Sequence, residues 1–166
     1  RNTAEVIKQG NIALDAAAFE KLQSQTHALL LDTRDPAAFK KGFIPGSINI
    51  GLNGQFAPWA GTLITENTQP ILLITDPDKE KETIIRLARV GVDNVIGYLK
   101  NGYATWQEAK KPEDSINTIT AKEFADKLAK EPELNILDVR KPGEYEDGHL
   151  NGVENSPLDY INNWTG

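Results

Sequence analysis

Asp76, Pro77, Asp78, Lys79, Glu80, Lys81 and Glu82 follow directly on the short apolar run from Ile71 to Thr75, which sets four acids and two lysines at the end of a segment of strand length. A carboxylate in such a place could act as a nucleophile. That chemistry needs a paired base or a phosphate cradle, and the stretch contains no glycine to curl backbone amides around an anion. The same residues read better as the start of a helix. Asp76 is then the N-cap, Pro77 the first helical residue, and the acids of the first turn complement the helix dipole, an arrangement worth roughly 1 kcal/mol in total.

Other chemistries are removed by composition. The chain has no cysteine, so it carries no thiol nucleophile, no thiolate ligand and no disulfide. Its two histidines, His27 and His149, have no partner at ligand spacing, and no metal site is expected. A formal charge of -6 argues against a nucleic-acid partner, which would require a basic face. No apolar run approaches the roughly 18 residues of a membrane span, and residues 1–10 lack the apolar stretch of a signal peptide. The expectation is a cytoplasmic protein without a membrane partner.

A second set of polar residues is conspicuous because it occurs twice. LDTRDPAAFKKGFIPGSIN at 31–49 returns as LDVRKPGEYEDGHLNGVEN at 137–155. At a constant offset of 106, Leu31, Asp32, Arg34, Pro36, Gly42, Gly46 and Asn49 recur as Leu137, Asp138, Arg140, Pro142, Gly148, Gly152 and Asn155. Phe39 answers Tyr145, and Phe43 stands where the second copy has His149. Seven identities in ungapped register read as a duplication. Asp32 with Arg34, and Asp138 with Arg140, are read as an ion pair or loop brace rather than catalytic groups, because a fold that buries one charge must keep its partner.

The elements that position these residues follow from apolar pattern and punctuation. Ala28 to Thr33, Ile71 to Thr75 and Asn94 to Leu99 are of strand length, and their unbroken apolarity predicts strands of a parallel sheet covered on both faces. Ile84, Leu87 and Ala88 predict a helix over 78–90 closed by Gly91, and a further helix covers Tyr103 to Lys110. Asp15 and Thr120 are expected N-caps, with Glu123 completing a capping box. Lys110 to Ser115, KKPEDS, reads as a linker between the copies. Trp106 and Trp59 are assigned to the core. With 166 residues, 39% of them apolar, the chain can bury one domain and part of a second. Gly166 corresponds to Ala60 of the first copy, so the second lacks counterparts of the third strand, the loop after it and the closing helices. Tyr160, Ile161 and Trp164 are then an expected association surface.

Asp32-x-Arg34, Phe39, the segment GFIPGSIN from Gly42 to Asn49 with Pro45 and Gly46, and NGYATW from Asn101 to Trp106 together resemble the rhodanese homology domain. The resemblance implies an α/β fold with a parallel five-stranded sheet flanked by helices, complete over residues 1–111 and followed over 112–166 by the N-terminal part of a second copy. Active members open the loop after the third strand with a cysteine whose persulfide is cradled by loop amides. The register puts Asp76 there, with Pro77, Asp78, Lys79, Glu80 and Lys81 as a degenerate loop, so no catalytic residue is expected. Asp32, Arg34, Gly42, Pro45, Gly46, Trp106, Asp138, Arg140, His149 and Gly152 become residues of the structural motif.

GLNGQFAPWAG, from Gly51 to Gly61, further resembles the first of two rhodanese modules that follow a metallo-β-lactamase-fold domain in persulfide-dioxygenase-type fusions. That likeness implies zinc or iron in a domain preceding Arg1, no cofactor in this chain, and as partners the metallo-β-lactamase-fold domain, a second rhodanese module and a homo-oligomer. The favoured reading is a catalytically silent module that docks domains or supports persulfide transfer. The alternatives are an active sulfurtransferase whose cysteine lies beyond Gly166, and a phosphate-handling relative, which would also need a loop cysteine.

Overall fold

The computed structural model describes residues 2–164, and the side chain of Trp164 lies outside the described set. The chain forms two compact units, one ending at Asn117 and one beginning at Thr118. In the first, helices α1 (Thr3–Gly10), α2 (Ala16–Thr26), α3 (Pro36–Phe39), α4 (Phe56–Leu63), α5 (Glu80–Ala88) and α6 (Tyr103–Glu108) alternate with strands β1 (Ala13–Leu14), β2 (Leu29–Asp32), β3 (Ile48–Asn49), β4 (Ile71–Ile74) and β5 (Val95–Leu99). The five strands form one all-parallel sheet in the order β1-β5-β4-β2-β3. The α/β class and five-stranded parallel sheet expected from the sequence are what the chain adopts.

The unbroken apolarity of ILLI in β4 has a direct cause. Ile71 and Leu73 lie in a core with Val6 of α1, Phe56 and Ala60 of α4, and Ile84 and Leu87 of α5. Leu72 and Ile74 lie in a second core with Phe19 of α2 and Tyr103 and Trp106 of α6. Because side chains alternate across a strand, a sheet with helices on both faces leaves no position for a polar residue. Trp59 packs against the first core, partly buried, and Trp106 is buried in the second, where its ring meets Phe19 edge to face at 6.3 Å.

The caps on α2 and on α7 (Ala121–Lys130) form as the sequence suggests: Asp15 accepts from the Ala18 amide, and Thr120 and Glu123 make a reciprocal capping box. Gly91 follows α5 at φ +84°, and the Val92 amide returns to the Leu87 carbonyl, which satisfies an otherwise open acceptor. Residues 112–116 do not hang free between units. The Trp106 indole donates to the Pro112 carbonyl, Phe43 and Asp114 exchange both backbone hydrogen bonds, and the Ile116 amide donates to the Lys40 carbonyl.

The second unit continues from α7 to α8 (Pro142–Asp147), a 3-10 turn at Leu158–Tyr160 and α9 (Ile161–Trp164), with a parallel bridge between Asp138 and Asn155. Tyr160 is exposed and Ile161 half-buried; the part of the expected surface that falls on the Trp164 side chain lies outside the described residues.

Candidate functional site

The sheet order places β2 beside β4, with β3 and β5 on their outer sides, so the chain reverses its direction of winding between these two strands. A crevice outside the carboxyl ends of such strands is where parallel α/β sheets hold their ligands. Four elements meet here: Thr33 and Arg34 after β2, Thr75 to Lys79 after β4, Leu52 and Asn53 after β3, and Gly102 at the start of α6.

Arg34 is fixed on every side. Its Nε and Nη2 fork onto the two Asp32 oxygens at 3.0 and 2.7 Å, and Nη2 also donates to the Gly42 carbonyl at 2.9 Å. Its guanidinium lies 4.0 Å over the Tyr103 ring. Asn49 completes the brace by donating to the Asp32 and Arg34 carbonyls. Both members of the pair are buried. The donors of Nε and Nη2 are thereby committed to the brace.

The loop after β4 differs from the sequence expectation. Asp76 is not an N-cap and Pro77 is not helical. Instead residues 76–79 form a β-turn in which the Lys79 amide donates to the Asp76 carbonyl at 3.2 Å, with Asp78 at φ +67°. Pro77 suits the second turn position because its ring fixes φ, and a third position with positive φ makes this a type II turn. Helix α5 therefore starts at Glu80 rather than at Pro77, with Lys79 as N-cap and no side-chain cap. The acids do fall in its first turn, as Glu80 and Glu82, and Lys79 and Arg86 draw the exposed Glu82 carboxyl below its ordinary range. Pro77 fixes the first central position of this turn and Asp78 tolerates the positive φ of the second, so the local sequence fits the turn as well as the cap.

This turn leaves almost no room. The cavity bounded by Thr33, Leu52, Asn53, Asp76 and Lys79 has a volume of about 20 Å³. That is the space of one water molecule, too small for a polyatomic anion. The electrostatics point the same way. Burial pushes the Asp32 carboxyl above its ordinary value, Arg34 pulls it part of the way back, and the negative charge of Asp76 raises it further.

Sequence reasoning missed three residues here. The hydroxyls of Thr33 and Thr75 are buried without a hydrogen-bond partner among the described residues, and Gly102 presses against the Thr75 carbonyl. Isolated threonines at strand ends carry no distinguishing signal, whereas Gly102, after Asn101 at φ +58°, is the sort of turn glycine a sequence can flag.

The second copy of the motif repeats the brace bond for bond. Arg140 reaches the Asp138 oxygens at 3.0 and 2.6 Å and the Gly148 carbonyl at 2.8 Å, and Asn155 donates to the Asp138 and Arg140 carbonyls. His149 stacks on Tyr145 at 3.7 Å as Phe43 stacks on Phe39 at 4.3 Å. Gly46 and Gly152, at φ +81° and +79°, occupy the same turn, with Pro45 preceding the first of them. The surroundings differ: Arg34 and Asp32 are buried, whereas the Arg140 side chain is 44% exposed. Consequently Arg140 draws the Asp138 carboxyl below its ordinary value while burial raises Asp32. Carboxyl carbon shifts followed by NMR are expected to give an Asp138 midpoint below the usual aspartate value and an Asp32 midpoint above it. The linkage signs are then opposite. The contribution of Asp138 is present above its unfolded value and lost as pH falls through the folded one; that of Asp32 is fullest below its unfolded value and declines as pH rises through the folded one.

No cluster of three or more histidine, cysteine or acidic residues able to hold a metal occurs among the described residues, and no helix among them is long and apolar enough to cross a membrane.

The rhodanese-like domain model matches residues 15–109, more than half of the chain and the whole span from the α2 cap to the end of α6. The chain belongs to the rhodanese-like domain family. An uncharacterized protein of Buchnera aphidicola subsp. Schizaphis graminum is 31% identical over 91 residues, covering 55% of this rhodanese-like chain and 61% of that protein. Among solved structures, thiosulfate sulfurtransferase from Pseudomonas aeruginosa aligns with TM-score 0.52 at 21% identity over 93% of this chain and 36% of its own. Wild-type EanB aligns with TM-score 0.53 at 16% identity over 90% of this chain and 41% of its own. The rhodanese-like chain thus spans well under half of either solved protein, and at these identities the likeness is one of fold.

Proposed function

We propose that the first unit is a catalytically silent rhodanese-like module, which supports a sulfur-handling protein by docking domains or assisting persulfide transfer rather than by carrying sulfur itself. The observation that carries this reading is the loop after β4. A rhodanese-type reaction needs a thiol there and several amides converging on an anion; this chain has no cysteine, and Asp76 to Lys79 close as a turn over a cavity of about 20 Å³. The Asp76 carboxylate adds a negative charge where the substrate is an anion.

The resemblance of Gly51–Gly61 to the module after a metallo-β-lactamase-fold domain supports a parent protein of that fusion type, with zinc or iron in its metal domain and none in these residues. Residues 112–166 are read in the same proposal as the N-terminal part of a second module. The parent's own domains, and a second copy of the protein, are the proposed partners, in the cytoplasm.

The assay is thiosulfate:cyanide sulfurtransferase turnover by the 166-residue chain, for which no rate above a protein-free control is expected. Asp76→Cys is expected to remain inactive, because neighbouring acids raise the thiol pKa and the turn supplies no cradle. Robust turnover by that variant would show the anion site to be intact and would sink the proposal.

A further inference from the structure

Asparagine precedes glycine at Asn53–Gly54, Asn101–Gly102 and Asn151–Gly152. In such a pair the glycine amide nitrogen, with no side chain to shield it, can attack the side-chain carbonyl carbon of the asparagine, which is one reason asparagine is a thermolabile residue. The rate depends on whether the backbone lets the two atoms meet. The three sites differ in how firmly that nitrogen is held.

Two are tied down. The Gly102 amide donates to the Leu99 carbonyl at 3.0 Å, and Gly102 is buried against the Thr75 carbonyl. The Gly54 amide donates to the Gly51 carbonyl at 3.2 Å. Leu52, just before that pair, donates its amide to the Thr33 carbonyl and accepts from Arg86 at 2.7 Å. The third site is looser. Asn151 and Gly152 are the central residues of a turn closed by the Val153 amide on the Leu150 carbonyl at 3.2 Å, and Gly152 at φ +79° makes it type II. Both are exposed, and among the described residues neither the Gly152 amide nor the Asn151 side chain makes a hydrogen bond.

This exposure belongs to the turn itself. Pro45 and Gly46 form the same turn in the first copy, closed by the Ser47 amide on the Ile44 carbonyl at 3.0 Å, and they are exposed as well. Proline has no side-chain amide, so of the two copies the second alone carries the reactive pair.

We infer that Asn151 is a self-modification site, which converts to aspartyl and isoaspartyl residues. The Gly152 nitrogen gives its proton to solvent base and bonds to Cγ of Asn151; the Cγ–Nδ2 bond breaks, ammonia leaves, and a succinimide ring closes. Water then adds to either ring carbonyl and the ring C–N bond breaks, which returns aspartate or, with the backbone rerouted through Cβ and Cγ, isoaspartate. No oxidation or reduction is involved. Ring closure requires rotation of ψ at Asn151, opposed by one backbone hydrogen bond of an exposed turn. Either product adds a carboxylate at position 151, and isoaspartate lengthens the backbone beside Val153, whose carbonyl accepts from the Tyr145 hydroxyl at 2.6 Å. None of this rests on the silence of the first unit.

The test is ageing of the full chain in mildly alkaline buffer, read by mass spectrometry of proteolytic peptides. Deamidation at Asn151 is expected to run at least about tenfold faster than at Asn53 or Asn101. Enzymatic methyl transfer to isoaspartyl carboxyls is expected to label the same peptide, and Asn151→Gln to remove the fast phase. In guanidinium chloride the three rates are expected to converge, because each glycine amide is then unheld. Comparable rates at the three sites in the folded chain, a preference for Asn53 or Asn101, or a fast phase that survives Asn151→Gln would overturn the inference. So would a preference for Asn151 that persists unchanged in denaturant, since neighbouring residues and not the fold would then set it.

Discussion

Gly102→Ala is expected to destabilise the first unit by about 3 kcal/mol or more, among the largest effects available to a single methyl group. Two costs add. At φ +70° an L-residue is strained, and a Cβ built there would stand 2.4 Å from the Thr75 carbonyl oxygen, a separation that backbone atoms must move to relieve. Neither neighbour can yield cheaply. Thr75 follows the fully buried β4, and Pro77, 3.9 Å from the same Cβ, opens the turn that seals the crevice. Urea unfolding of the chain reads the effect as a lowered midpoint. A variant as stable as the original would mean that the β4 loop and the start of α6 are not held in contact, and with it would go the argument that the crevice is closed.

Arg34→Ala is expected to cost about 3–5 kcal/mol, whereas Arg140→Ala leaves unfolding without a resolvable change. The two arginines make the same contacts with their aspartates and with a glycine carbonyl eight residues on. The difference lies in solvent. Removing Arg34 leaves the Asp32 carboxylate, itself 0% exposed, without its counter-charge, and the Gly42 carbonyl and the Tyr103 face without their cation. Removing Arg140 exposes its partner to water that already reaches the pair. Equal effects at the two sites would show that the second unit is covered as fully as the first. Held by a carboxylate, a carbonyl and an aromatic face, Arg34 braces the scaffold through Nε and Nη2.

Strands β2, β4 and β5 and helices α2, α5, α6 and α7 were readable from period and punctuation, whereas the two-residue strands β1 and β3 and helices α1, α3 and α4 were not. ILLI at 71–74, the caps at Asp15 and Thr120, and Gly91 each answer to local physics that operates wherever the segment lies in the fold. The loop after β4 was legible only as to what it lacks. Asp76 before Pro77 fits an N-cap and a type II turn alike, and the choice is made by how far Pro77 and Asp78 must travel to meet Gly102 on one side and start α5 on the other. Thr33 and Thr75 could not be singled out, because the burial that orphans their hydroxyls comes from segments distant in the chain.

By itself, then, the sequence determined the recurrence of one motif at an offset of 106, the α/β class with its buried parallel strands, and the absence of any thiol, since each depends on residue identity and spacing alone. Only the tertiary structure decided that the crevice at Asp76 has room for a single water, and that one motif, written twice with the same hydrogen bonds, is a buried brace at Arg34 and an exposed one at Arg140. Hydrogen bonds within one motif are local and repeat with the residues that make them; burial is a sum over neighbours brought from elsewhere, and the two copies do not have the same neighbours.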